Sequence, residues 1–233
     1  MKVILFGATG MIGDGVLREC LADPRVSMVL AVGRTPCGIT HAKLREQVRA
    51  DFFDYRDVRA EWSGYAACFF CLGVSSVGMR EADYTRLTYD LTLAAARALA
   101  EGNPALVFCY VSGAGTDSTE RGRSMWARVK GKTENHLIAL PFRAYLFRPA
   151  YVQPRRGTRS KTRLYQAFYT VLGPLYPLLR RLAPGYVTTT TALGRAMIEV
   201  AAKGHGRRVL ESNDINALGE RPAHRAAGSE SAR

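Results

Sequence analysis

The sequence predicts an α/β protein whose core is a doubly wound parallel sheet, and three observations predict it. The chain opens on a short apolar run, Val3–Phe6, followed at once by Gly7-Ala8-Thr9-Gly10-Met11-Ile12-Gly13 and a helical segment, Gly15–Ala22. Further apolar runs then alternate with segments of helical period. The runs are continuously apolar rather than alternating, the pattern of strands buried on both faces of a parallel sheet. Third, glycines and hydroxyl residues gather where the runs end, at Gly7, Gly33, Gly73 and Ser112. In such sheets, ligands bind at the carboxyl ends of the strands.

Each element follows in order. Val3–Phe6 has the length and composition of a buried strand. Pro24 breaks the first helix, and Ser27–Val32 (SMVLAV) is a second strand ending at Gly33-Arg34-Thr35. Ala42–Arg49 is polar and helical in period, and Asp51-Phe52 follows a further short strand. Ala66–Leu72 is the fourth strand. Glu81–Glu101 is a long amphipathic helix, stopped by Gly102-Asn103-Pro104. Ala105–Val111 is a strand that opens into Ser112-Gly113-Ala114-Gly115-Thr116. Ser124–Leu140 is a helix with Trp126, Lys130 and Glu134 on one face, each four residues from the next. Arg143–Phe147, the helix Thr188–Ala202 and the short strand Arg208–Leu210 complete the sheet and its cover. Residues 1–218 form one domain. Within it, residues 151–186 are a small C-terminal substrate-covering region broken by Gly173-Pro174 and Pro177. Residues 219–233 have the composition of a disordered tail.

Composition narrows the function. The chain has 233 residues, 47% hydrophobic and 23% charged, enough for one well-buried core. The longest uncharged stretches, Ala66–Met79 and Gln166–Leu179, are too short to span a bilayer. The glycine loop arrives too soon for a signal peptide, and the five cysteines are odd in number and lie mostly in apolar runs. Reduced thiols in a cytoplasm are expected. Cys68-x-x-Cys71 lies inside a strand run, where core thiols are expected rather than a redox pair, and no metal site is expected. The net charge of +13 is uneven: residues 1–119 hold 12 basic and 13 acidic side chains, residues 120–233 hold 21 and 7. The densest basic stretch is Arg155, Arg156, Arg159, Lys161 and Arg163, a solvated loop or a clamp for an anionic small-molecule substrate. Peripheral contact with anionic lipid is a third use for it. Nucleic acid is not expected, because charge alone points to it.

A strand, a glycine turn and a helix in that order form an anion cradle, with backbone N–H groups and the helix dipole aimed at a phosphate. Gly7 permits the turn, Gly10 lets the backbone approach a pyrophosphate, and Gly13 lets helix and strand pack closely. Thr9, Met11 and Ile12 complete the loop. This is the signature of a Rossmann-type dinucleotide site. Its glycines are spaced G-x-x-G-x-x-G, one residue wider than the commoner fingerprint. About twenty residues further on, an acidic residue favours NAD and an arginine accommodates a 2′-phosphate. Arg34 stands there, so NADP(H) is expected over NAD(H). Asp51 and Phe52 are placed to meet the adenine, and Leu72 and Gly73 to meet the cofactor at the fourth strand end.

GATGMIG, the strand ending at Ser112 and the helix carrying Val129-Lys130-Gly131 together resemble the short-chain dehydrogenase/reductase superfamily, in its extended or atypical branch with the NAD-dependent epimerases and dehydratases. FCLG (Phe70–Gly73), VKG and Glu211–Ile215 look most similar to the Tat-interacting, oxidoreductase-like proteins of that superfamily. The resemblance covers about residues 1–218. It implies a catalytic Ser, Tyr and Lys, the last two spaced Y-x-x-x-K. Lys130 matches, Ser112 ends the right strand with Thr116 as alternate, and Trp126 stands at the tyrosine position. An indole N–H donates a hydrogen bond but offers no acid–base chemistry near neutral pH. Tyr151 is another hydroxyl within the covering region. The expected function is therefore NAD(P)(H) binding with oxidoreductase or epimerase-like activity on a carbonyl or hydroxyl substrate. The alternative is a catalytically silent regulatory or interaction protein.

Overall fold

The computed structural model describes residues 1–154 and 184–220. Seven strands form one parallel sheet: β1 (Lys2–Phe6), β2 (Met28–Gly33), β3 (Leu44–Val48), β4 (Ala67–Phe70), β5 (Val107–Val111), β6 (Arg143–Arg148) and β9 (Val209–Glu211), in the order β3-β2-β1-β4-β5-β6-β9. The chain reverses direction across the sheet between β1 and β4, and the crevice outside their carboxyl ends is where such folds hold ligands. β7 (Tyr151–Gln153) and β8 (Val187–Thr189) pair in parallel as a separate ribbon. That ribbon brings together the two ends of the expected covering region, whose residues 155–183 lie outside the described residues. The basic stretch Arg155–Arg163 lies there too.

The continuous apolar runs are explained by the two cores they serve. Along β1, Val3 and Leu5 face one side of the sheet while Ile4 and Phe6 face the other, and all four are fully buried. The first side is covered by α1 (Met11–Ala22), α5 (Thr190–Lys203) and α6 (Ser212–Gly219). The second is covered by α2 (Glu81–Thr85), α3 (Leu91–Gly102) and α4 (Met125–Ile138), with a short 3-10 turn, Arg59–Trp62. Phe6 anchors the second core, its ring edge-on to Trp62 at 5.7 Å and tilted against Phe70 at 5.1 Å.

Several sequence expectations need correction. Ala42–Arg49 is not helical: Leu44–Val48 is the edge strand β3, in register with β2 from Val29↔Leu44 to Gly33↔Val48. An edge strand has a neighbour on one side only, and four of its five residues are not buried. Its polar composition therefore mimics a solvent-facing helix over so short a length. The long helix expected over Glu81–Glu101 contains a π-helical turn, Arg86–Asp90, between α2 and α3. The first helix begins at Met11, directly after the glycine loop. The expected tail loses its first residue to α6, which ends at Gly219, and residues 221–233 lie outside the described residues.

Asn103 shows how a turn that reads as a simple breaker is built into the core. It is 5% exposed. Its side-chain amide donates to the carbonyls of Trp62 (2.7 Å) and Leu99 (3.1 Å), and its oxygen accepts from the Tyr65 N–H at 2.9 Å. One side chain thus ties the end of α3 to the approach to β4. Asn103→Ala leaves these backbone groups buried without partners, each at about 1–3 kcal/mol. A marked loss of stability in urea denaturation is expected, with the far-UV spectrum of the folded protein unchanged.

Candidate functional site

The glycine loop between β1 and α1 is shaped by backbone contacts that exclude side chains. Gly7 has φ +82°, and a Cβ there would lie 2.9 Å from the Cys71 and Leu72 backbone. A Cβ at Gly13 would lie 2.0 Å from the Gly7 carbonyl oxygen. The loop closes with the Gly10 N–H donating to the Gly7 carbonyl at 2.9 Å, and the first α1 hydrogen bond runs from Asp14 N–H to the Gly10 carbonyl at 2.8 Å. Gly10 is the N-cap and has no side chain to accept a bond. The N–H groups of Met11, Ile12 and Gly13 therefore point out of the first turn without helical acceptors. Thr9, Met11 and Ile12 are half-buried around them. This is a cradle for an anion of pyrophosphate size.

The other expected cofactor residues are placed unevenly. Arg34 follows β2, is exposed, and makes no ion pair or hydrogen bond within the described residues. Its loop is held from the side by Glu46 on β3, whose carboxylate accepts from the Cys37 N–H at 2.5 Å. Glu46 was not identified from the sequence, because its segment reads as helical and its distance from β2 is set by strand pairing. Phe52 is 6% exposed and packs in the second core, so its ring offers no stacking surface. Asp51 is exposed and accepts from the Phe53 N–H at 2.7 Å. Arg49, also unforeseen, organises this corner: it pairs with both Asp57 oxygens at 2.9 and 3.0 Å and donates to the Asp54 carbonyl at 2.6 Å. Leu72 is half-buried and Gly73 is exposed with open space around it.

Cys68 and Cys71 are three apart on one strand run and so face opposite sides of the sheet, Cys68 in the second core and Cys71 against the first. Burial pushes the Cys71 thiol up to about 12, which suits an inert core thiol.

At the far side of the crevice, α4 carries Trp126, Lys130 and Glu134 on one face. Lys130 Nζ donates to the Ser112 carbonyl at the end of β5. Burial lowers the Lys130 amine to about 8, while Glu134 works in the opposite direction. The Ser112 hydroxyl is turned inward: Oγ donates to Glu134 at 2.5 Å and to the Phe147 carbonyl at 3.2 Å, and the residue is 7% exposed. Thr116 Oγ1 donates to the Gly113 carbonyl at 2.7 Å, and the Tyr151 hydroxyl donates to Gln153 at 2.7 Å. Trp126 is half-buried, and its ring edge lies 3.5 Å from where a Cβ on Gly115 would stand. Its Nε1 makes no hydrogen bond within the described residues. Glu134 is 1% exposed and is paired with Arg148 of β6, whose Nε lies 3.0 Å from Oε1 and whose second nitrogen contacts Oε2. The sequence placed Glu134 on the right face but gave no sign of this pairing, because Arg148 comes from another strand.

With this geometry in place, comparison with known proteins is informative. The architecture is a Rossmann-type α/β fold with a seven-stranded parallel sheet. No known protein-family pattern matches the chain. It is 26% identical over 226 residues to protein HTATIP2 of Rattus norvegicus, covering 94% of this chain and 89% of that one. It is 26% identical over 210 residues to the mitochondrial protein fmp52 of Emericella nidulans, covering 87% and 88%. Among solved structures, UDP-glucose 4-epimerase superposes with a TM-score of 0.67 at 15% identity, covering 93% of this chain and 80% of that one. MoeE5 in complex with UDP-glucose and NAD gives 0.62 at 18%, covering 92% and 79%. The resemblance to the superfamily and to its Tat-interacting members therefore holds in fold and in sequence. The cytoplasmic expectation is overturned, because the fungal relatives are named mitochondrial. That expectation rested on reduced thiols, which do not distinguish one reducing compartment from another. Among the described residues, no helix is long and apolar enough to cross a membrane.

The VKG segment owes its glycine to packing. A Cβ on Gly131 would lie 1.8 Å from the Asp117 carbonyl oxygen, so the loop after β5 rests directly on the α4 backbone. The Asp117 N–H donates to the Ala127 carbonyl at 3.1 Å in the same contact. Gly131→Ala must push this loop away, and overpacking of this kind costs typically about 1–3 kcal/mol. A lower Tm is expected, with faster amide exchange confined to residues 113–118.

Proposed function

We propose that the chain binds a nicotinamide dinucleotide at the glycine loop, NADP(H) in preference to NAD(H), and turns over carbonyl substrates slowly or not at all. The observation that carries this reading is the cradle at Gly7–Gly13, which only backbone can line. The family resemblance and the NAD complex among the structural neighbours support it. The N–H groups of Met11, Ile12 and Gly13 hold the pyrophosphate. Arg34, exposed and without a partner among the described residues, gives charge-assisted hydrogen bonds to a 2′-phosphate. Lys130 is the ribose-facing cation. The bound nicotinamide would supply or accept a hydride. The proton that must accompany it has no ready source: Trp126 stands where the family has tyrosine, and the Ser112 hydroxyl is committed to Glu134. A second reading, an oxidoreductase or epimerase-like enzyme on a small, anionic substrate, is favoured by Lys130 itself. Its amine, lowered to about 8, lies in the range where proton transfer near neutral pH is effective.

Binding is tested through tryptophan fluorescence. Of the two tryptophans, Trp62 is fully buried in the second core and Trp126 borders the crevice. NADPH should quench Trp126 emission with higher affinity than NADH, and Arg34→Asp should reverse the order. Equal affinities in the wild-type protein would remove the role given to Arg34.

Turnover is tested separately. Wild-type protein is expected to oxidise NADPH only weakly across a panel of aldehydes and ketones. Trp126→Tyr restores a hydroxyl beside Lys130. General acid–base help is typically worth ~10²–10⁴-fold, so activity should rise toward that range. Adding Lys130→Met should remove the gain. Brisk wild-type turnover would establish the second reading instead.

A further inference from the structure

Glu134 is buried one turn from Lys130 and touches Ser112, the residue that receives the Lys130 ammonium. Its Oε1 accepts from the Ser112 hydroxyl at 2.5 Å and from Arg148 Nε at 3.0 Å, and its Oε2 takes the second Arg148 contact. The Ser112 carbonyl receives the Lys130 ammonium. Lys130 and Glu134 are one helical turn apart on α4, so the same strand end is held twice by the same helix. Arg148 is in turn fixed by Ser118 Oγ at 2.6 Å and faces Glu211 of β9 at 4.0 Å.

We propose that Glu134 is the positioning residue of this site: it fixes the end of β5 through the Ser112 hydroxyl and Arg148, so that the Ser112 carbonyl meets the Lys130 ammonium. The proposal rests on Lys130 being the site lysine, but not on any cofactor being bound.

The surrounding charges fit this role. The groups facing the pair are Tyr110 on β5, Arg148 on β6, Asp117 in the loop and Glu211 on β9. Burial raises the Tyr110 hydroxyl well above its usual range, so it stays neutral at all working pH values. Arg148 remains a cation. Asp117 and Glu211 interact with Arg148. Glu134 is the acid that acts on Lys130 itself. Lys130 is lowered by burial to about 8, so its ammonium is present below that pH and is lost as the pH rises through it. Removing the Glu134 charge removes the opposing influence and moves the Lys130 titration to lower pH.

The experiment is pulse acetylation of the apoprotein from about pH 6 to about pH 10, with Lys130 followed by peptide mass spectrometry, since only the neutral amine reacts. In the wild-type protein, Lys130 should reach half-maximal reactivity near pH 8. In Glu134→Gln the midpoint should fall below that of the wild-type protein, leaving more neutral amine at every pH under the midpoint. Glu134→Asp, which keeps the charge, should lie between the two. A buried Arg148 without its partner is strongly destabilising, so Glu134→Gln combined with Arg148→Met provides a version with no unpaired charge, should the single variant fail to fold. An unchanged Lys130 midpoint in the folded single or double variant would overturn the proposal. Because no dinucleotide is present, that failure is distinct from a failure to bind NADPH.

Discussion

The structure depends on a contact between three stretches of backbone. β1 delivers Gly7 against the start of the loop after β4, at Cys71 and Leu72, and α1 returns over Gly7 at Gly13. None of these approaches leaves room for a Cβ. The left-handed φ at Gly7 turns the chain, and the helix begins four residues later with its first N–H groups exposed. Strand pairing of β1 with β4 then sets where the next strand end lies relative to that helix terminus. The crevice is therefore an outcome of backbone packing, and the side chains lining it are hung on a frame already fixed.

A second fixed point balances the first across the crevice. The Glu134–Arg148 pair joins α4 to β6 and, through Ser112, to β5. Such a pair is a poor source of net stability, because two charges must leave water to form it. Its value lies in the cost of breaking it, which confines α4 and the β5 loop to one arrangement. The glycine at 131 allows the loop to lie directly on α4, and the pair prevents it from sliding. Cradle and lysine are thus held by independent means, one by close packing and one by a buried charge pair.

Much of the frame was legible in the sequence because parallel strands buried on both faces leave an unmistakable pattern. All of the buried strands except the short β7 and β8 were placed, and the glycine cradle was read residue by residue. What the sequence did not disclose has a common physical character. β3 is polar because it is an edge, so its pattern lacks the apolar run that marks its neighbours. Phe52 reads as an aromatic at a strand end, but only the packing of Tyr55 and Trp62 beside it shows that its ring belongs to the core. Glu46, Arg49 and Arg148 act on residues brought to them by strand register. Ser112 was correctly placed at the strand end, while the direction of its hydroxyl depended on a carboxylate 22 residues further on.

The same distinction separates the two sides of the crevice. The glycines and Lys130 stand where backbone geometry demands them or where a single helix can supply them. On α4, the edge of the Trp126 ring faces Gly115, which has a left-handed φ of +84°. Ser112, meanwhile, gives its hydroxyl to Glu134, its carbonyl to Lys130 and its N–H to the Phe147 carbonyl, a structural use of all three polar groups. Turned inward, the Ser112 hydroxyl completes the network that holds the lysine.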